Sequence, residues 1–338
     1  MAALVIAVQC VTTVTDTEFY LTQIIMSACY SLVAVGLCLL MGYAGQISLG
    51  HAAFFAIGGY SSAALTTWDL SSISARPLIS FLIKSRFVLQ ESNSWGQAIA
   101  YVNPWISLCV GVGVAAGVAW CIGTPILKLR GHYLAMATLG FGTIIYRIAL
   151  GTRIFGEADG ISEVPSFPLP FGMSLDGARI HRIQSYYVVW IVVFIFVIMI
   201  GNLIHSRAGR ALRALHGNEE AAQAMGVDTA RFKLNLFVLS AIMAALAGVI
   251  LTHYNGGIGP SEAGVMKSVR YVAIVAVGGM ANLWGSLLSS MILNFLSLRG
   301  YFGSFDDAVF GTVLVLMMLF APDGILKKKM QRNALRKN

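Results

Sequence analysis

Residues 19–42 run for 24 positions without a charged side chain. A helix needs only about 20 apolar residues to cross the hydrocarbon of a bilayer. Nine more apolar segments surround this one: 1–14, 51–68, 104–127, 133–150, 186–204, 234–252, 268–280, 284–298 and 308–320. The chain is 57% hydrophobic and 11% charged, whereas soluble domains carry about 25% charged residues. It has too few to cover a water-facing surface. The expected fold is therefore all-α, a polytopic transmembrane helical bundle of about ten membrane segments. Segments 268–280 and 308–320 are too short to cross squarely, so they are expected as flank-extended, broken or re-entrant helices. Residues 1–14 lack a basic n-region and a small-residue cleavage site, and read as a short first span.

Charge distribution orients the bundle. With the N- and C-termini both cytoplasmic, thirteen basic residues face four acids on the inner side, and ten basic residues face eleven acids elsewhere. The opposite orientation violates the positive-inside rule. Stretches 69–103 and 151–185 then lie outside, and 205–233 is the one long internal loop. The basic tail 327–338 sits beside anionic lipid. Residues 1–326 are read as a single transmembrane domain, since no polar stretch is long enough to bury a core of its own. The net charge of +8 follows this inner-side bias, and no nucleic-acid partner is expected.

Several chemistries are missing from the sequence. No lysine follows a glycine, so there is no phosphate-cradling P-loop and no expected ATP hydrolysis by this chain. The six histidines show no metal-ligand spacing, no nucleophile elbow occurs, and no catalytic residue, cofactor or metal is expected. The five cysteines all lie in apolar segments and read as small buried hydrophobes. None of the ten segments contains Asp or Glu. Proton-coupled transporters usually carry membrane carboxylates or histidine relays, so the energy for transport is expected from a partner. A sodium site built from backbone carbonyls stays open, as does a stand-alone ion-coupled transporter.

Two stretches carry candidate functional residues. In the internal loop, Asn218 suits a helix N-cap, and Glu219 and Glu220 occupy the first turn, where the helix dipole favours acids. Ala221, Ala222 and Met225 follow as a small apolar face, and Gly226 ends the helix. Such a helix can dock in a groove of a soluble protein or be an ordinary surface helix. At the end of the long uncharged run, Gly42, Gly45 and Gly50 weaken the helix, while Gln46, Ser48 and His51 are polar at membrane depth. Irregular backbone there must be buried in protein or line a cavity. The stretch reads either as a pathway or gate element, with Gly45, Gln46, Ser48, Gly50 and His51 as candidates, or as close helix packing through small residues. Asn255, beside Gly256, Gly257 and Gly259, marks a similar break on the outer side. Arg147 and Arg270 fall near outer helix ends, where either can attract a substrate carboxylate, although snorkelling to headgroups is the simpler account.

Glu220-Ala221-Ala222 followed by Gly226 resembles the EAA loop of ABC-importer permeases. The wider chain resembles the branched-chain amino acid permease family, in particular the larger, M-type member of its permease pair. The likeness rests on Gly42-Tyr-Ala-Gly-Gln-Ile-Ser-Leu-Gly-His-Ala-Ala-Phe54 with Gly58 and Tyr60, and on Leu129-Arg-Gly-His-Tyr-Leu-Ala-Met-Ala-Thr-Leu139. It continues in Ala158-Asp-Gly-Ile161, residues 240–248, Gly278-Gly279 and Ala321-Pro-Asp-Gly-Ile325. Phe155-Gly156-Glu157 depart from the family's usual start of the third block. The resemblance implies a bacterial inner-membrane permease subunit, with a homologous sister permease, two ABC ATPase subunits and a periplasmic solute-binding protein as partners. It implies leucine, isoleucine or valine as cargo, with urea, short amides and other neutral amino acids as alternatives among near relatives. Cysteine labelling is expected to place Gly217 and Lys329 in the cytoplasm and Asn93 and Ser174 outside. Labelling Gly217 and Asn93 from one side would rule out the ten-segment arrangement.

Overall fold

The computed structural model describes residues 2–15, 17–68, 88–92, 98–129 and 131–320. Asn93, the 321–325 block and the basic tail lie outside them. The chain forms α1 (Ala2–Val14), α2 (Phe19–Ala44), α3 (His51–Thr67), α4 (Pro104–Ile126), α5 (His132–Gly151) and α6 (Arg182–His205). It continues with α7 (Arg207–Gly217), α8 (Glu219–Ala224), α9 (Thr229–Asn255), α10 (Val265–Gly278), α11 (Leu283–Leu298) and α12 (Asp306–Phe320). Six short strands accompany them in antiparallel pairs: β1 (Val88–Ser92) with β2 (Ala98–Val102), β3 (Ile161–Ser162) with β6 (Gly257–Ile258), and β4 (Phe167–Pro168) with β5 (Ser174–Leu175).

Each of the ten apolar segments folds as a helix, and α7 and α8 fill the internal loop. Among the described residues, five helices have the length and apolarity to cross a membrane: α2, α4, α5, α6 and α9. That makes the protein multi-pass. Ten full crossings is more than these lengths establish, since α3 has 17 residues, α10 14, α11 16 and α12 15. Extra reach came from flanks: α9 starts five residues earlier than its apolar run because Asp228 caps it, its Oδ1 accepting from the Arg231 amide at 3.1 Å.

Burial sorts the long helices into two shells. The most apolar window of α2 is 89% buried and that of α9 67%, against 28–33% for α4, α5 and α6. The outer helices turn apolar residues outward: on α6, Ile191, Ile195 and Ile198 repeat at helical spacing and are all exposed. A hydrophobic stripe that would be a liability in water is the surface expected against lipid tails. Three cysteines follow the same rule. Cys29 and Cys38 are buried, but Cys10, Cys109 and Cys121 are exposed on outer helices, which corrects the reading of all five as buried.

The centre is the contact of α3 with α9. A Cβ on Gly58 would overlap the Ala245 carbonyl, and one on Gly248 would overlap the Phe55 carbonyl. With no side chain on either glycine the two backbones touch. Gly248→Val should force the helices apart, costing about 1–3 kcal/mol or more and lowering the thermal midpoint of the purified protein. Gly117→Ala on α4, where an added Cβ meets nothing within 4 Å, should leave the midpoint unchanged or raise it slightly.

Candidate functional site

The uncharged run ends where the sequence places its glycines. Gly45 takes a left-handed conformation, φ +65°, and its N–H donates back to the Leu40 carbonyl, closing α2. The chain is irregular to Gly50, and α3 begins at His51. Three other helices supply the partners that this interruption lacks. From α5, Thr138 Oγ1 accepts from the Leu49 amide at 3.0 Å. From α10, Ser268 Oγ accepts from the Ala52 amide at 3.2 Å. His51 is fully buried, its Nδ1 3.1 Å from Ser48 Oγ and its Nε2 3.0 Å from Ser240 Oγ of α9. Phe54 and Phe237 pack edge-on to its ring.

Ser48, Gly50 and His51 are thus brought together in a packed and hydrogen-bonded core. Gly42 supports the same view, because a Cβ there would overlap the Met280 carbonyl. Two features point the other way. Gly45 and Ile47 are exposed, and Gln46 is 4% exposed with its Oε1 lacking a hydrogen-bond partner among the described residues. The break is closed around His51 and open around Gly45. Asn255 does not join it. It ends α9 fifteen residues beyond Ser240, roughly 22 Å along the helix.

At that far end, two sequence blocks prove to be partners. Ile161 pairs with Ile258, Val164 N–H donates to Gly256 O at 3.1 Å, and a Cβ on Gly160 would overlap the Ile258 carbonyl. The 158–161 block therefore seals the break at 255–260. Beneath it, His253 Nδ1 lies 2.8 Å from Pro165 O, and its Nε2 2.9 Å from Ser62 Oγ, which reaches Ser107 Oγ at 2.7 Å.

The internal loop is a folded unit. Asn218 Oδ1 accepts from the Ala221 amide at 3.0 Å, starting α8. Glu219 forms a 2.5 Å ion pair with Lys233 of α9, whose side chain is 10% exposed. Gly226, at φ +84°, turns the chain out of α8. The expected apolar face needs one correction. Ala222 is 4% exposed and faces the protein, with Val227 N–H donating to its carbonyl at 3.1 Å. Ala221, Ala224 and Met225 are the exposed apolar residues, Met225 at 86%. In a six-residue helix a one-position error in phase exchanges the inner and outer faces. The loop also touches the α2–α3 break, because His216 Nδ1 lies 3.0 Å from where a Cβ on Gly45 would stand.

Charges inside the bundle escaped the sequence reading. Arg270 does not snorkel. Its side chain is 15% exposed, bonds Asp306 at 2.5 Å, Asp307 at 3.2 Å and Ser297 at 3.0 Å, and lies over the Phe310 ring. Glu262 and Lys267 pair at 3.0 Å. The ten apolar segments held no carboxylate because they stopped two residues short of Asp306, which opens α12. The signal available was Lys267 and Arg270, three apart and so on one helix face. Arg147 is exposed on α5, as expected.

Inner helices packed through glycine, outer helices with apolar faces and polar breaks at both ends define a multi-pass transport protein of the membrane. Residues 19–322 match the family described as branched-chain amino acid transport system / permease component, and the chain belongs to that family. It is 29% identical to the high-affinity branched-chain amino acid transport system permease protein LivM of Salmonella typhimurium, over 89% of this chain and 68% of the relative. LivM of Escherichia coli is 28% identical, over 88% and 67%. LivH of Salmonella typhimurium is 25% identical, over 89% and 92%. These relatives are named as permease proteins, not enzymes. No solved structure matches the chain. Ser240→Ala should strand a ring nitrogen of His51, at about 1–3 kcal/mol. Thermal unfolding of the purified variant should show this as a lowered midpoint, and an unchanged midpoint would mean that the hydrogen bond contributes nothing.

Proposed function

We propose that this chain is the membrane-spanning subunit of an ATP-driven importer of branched-chain amino acids, working in the bacterial inner membrane with both termini cytoplasmic. It pairs with a homologous sister permease, takes its energy from two ABC ATPase subunits and receives solute from a periplasmic binding protein. The relatives' names support the substrate, and the match to both LivM and LivH supports a paired assembly. Residues 1–326 serve as one permease domain, with 205–233 as its coupling loop and 327–338 as a basic tail at the lipid surface.

One observation carries the coupling assignment. Met225, which caps the C-terminus of α8, is 86% exposed on a folded loop pinned to α9 by the Glu219–Lys233 pair. A methionine held out in water on a rigid support has no internal use, and a soluble groove accommodates its flexible thioether well. Glu220, Ala221 and Gly226 complete the docking surface, while Glu219 and Ala222 hold it in place. The contact of His216 with Gly45 then joins the loop to the open part of the α2–α3 break, where Gln46 keeps a buried, unsatisfied carbonyl that a rearrangement of the break would bare to a solute. Ser48, Gly50 and His51 fix the closed part. Asn255 belongs to the outer seal.

Met225→Asp should leave membrane levels and sister-permease pairing intact and abolish co-purification of the ATPases. Gly226→Leu should weaken it too, since a branched side chain at φ +84° costs about 1 kcal/mol or more. Full ATPase retention by Met225→Asp would make α8 an ordinary surface helix. Ala222→Arg is a poor probe, because it would disrupt the loop before any partner arrived.

A further inference from the structure

Between the outer end of α9 and the start of α10, a short 3-10 turn, Pro260–Ala263, carries Glu262. The turn packs against α3 and α5. Lys267, on the first turn of α10, donates to Glu262 Oε1 at 3.0 Å and to Tyr30 Oη at 3.2 Å, with its ammonium 4.7 Å from the centre of the Tyr30 ring. Tyr30 Oη donates to Glu262, at 3.3 Å from Oε1 and 3.4 Å from Oε2. The two charged side chains are 20% and 23% exposed. They are shielded from bulk water without being shut off from it.

Two further phenols stand in the same frame. The Tyr271 ring lies 6.2 Å from that of Tyr30. Tyr60 packs in the apolar cluster that contains Ala263, the neighbour of Glu262. Tyr60 is 4% exposed and Tyr271 1%, and neither hydroxyl has a hydrogen-bond partner among the described residues. A buried phenol without a partner is unfavourable in an apolar surround, and two beside one ion pair is a concentrated surplus.

The ion pair has surplus capacity of its own. An ammonium has three donors and a carboxylate about four acceptor sites. Lys267 uses two donors, and Glu262 Oε2 receives only the long shared bond from Tyr30. A pair whose only duty was to tie the turn to α10 would be as stable or more so if replaced by apolar residues. Among the described residues, one donor of Lys267 and most of the capacity of Glu262 Oε2 are left without a partner, beside the Tyr30 hydroxyl.

We propose that Glu262 and Lys267, framed by Tyr30, Tyr60 and Tyr271, are a binding station for the two charged ends of a zwitterionic amino acid arriving from the outer side. Lys267 receives the α-carboxylate and Glu262 the α-ammonium. Tyr30 Oη, already within bonding distance of both charged groups, holds them in place. The station rests on the importer reading above and adds the place where the solute first meets the permease.

The test is equilibrium binding of tritiated leucine to the assembled importer in lipid nanodiscs, without the binding protein. Saturable, weak binding is expected, displaced by unlabelled leucine but not by leucinamide, which lacks the carboxylate, or by 4-methylpentanoate, which lacks the ammonium. Glu262→Gln and Lys267→Gln should each weaken it by more than about tenfold, while the assembly elutes intact. A shape-preserving amide that still assembles excludes unfolding as the cause. Undiminished leucine binding in both variants, displacement by leucinamide, or no saturable binding to an importer that takes up leucine would overturn the station. If the importer takes up a different zwitterionic amino acid and both variants lose that one, the substrate reading falls and the station stands.

Discussion

Backbone amides and carbonyls cannot be left bare at membrane depth, and the architecture depends on how that demand is met at one place. Where α2 stops and α3 starts, a transmembrane path is interrupted by six residues with no helical ladder. Thr138 and Ser268 accept from the Leu49 and Ala52 amides, and Ser240 partners the His51 side chain, each from a different helix. Each is a small hydroxyl on an apolar helix, reaching a neighbour only because the backbones lie close. Close approach in turn requires glycine at Gly42, Gly58 and Gly248. The interruption, the serines and the glycines are therefore one solution to one constraint.

A transport protein needs a region that can rearrange, yet a bundle with bare polar groups would not assemble. This chain answers by making the break unequal. Around His51 the polar groups are matched and dry. Around Gly45 the backbone is exposed, Gln46 keeps an unused carbonyl, and the internal loop lies in contact through His216. Local opening is easier where fewer matched contacts must be undone, and the half nearest the loop has fewer of them.

Much of this was legible in the sequence. All ten apolar segments became helices, because an uncharged run has little else to do in a lipid environment. Gly45 and Gly226 ended helices where glycine was the residue that tolerates a positive φ. What failed did so for want of the third dimension. The phase of a six-residue helix cannot be fixed by composition, and Ala222 turned inward. Arg270 at a helix end looks the same whether it reaches lipid or Asp306. Glu262 fell between apolar segments and drew no notice, because nothing local says that Tyr30, more than two hundred positions earlier, will stand beside it. The pairing of 158–161 with 255–260 was equally hidden, although both blocks had been noticed separately.

The run of α9 from Thr229 to Asn255 has a mechanical meaning. It is 27 residues with no proline and no break, roughly 40 Å of stiff rod. Lys233 fastens its lower end to the internal loop through Glu219, and its upper end carries straight into the strand that pairs with Ile161. Between these ends it holds Ser240 against His51 and Gly248 against α3. A rod with no joint cannot be pushed at one end and stay still at the other. The contacts of the loop, of the buried core around His51 and of the strand at Ile161 therefore share one unbroken helix, and a displacement at any of them bears on the other two.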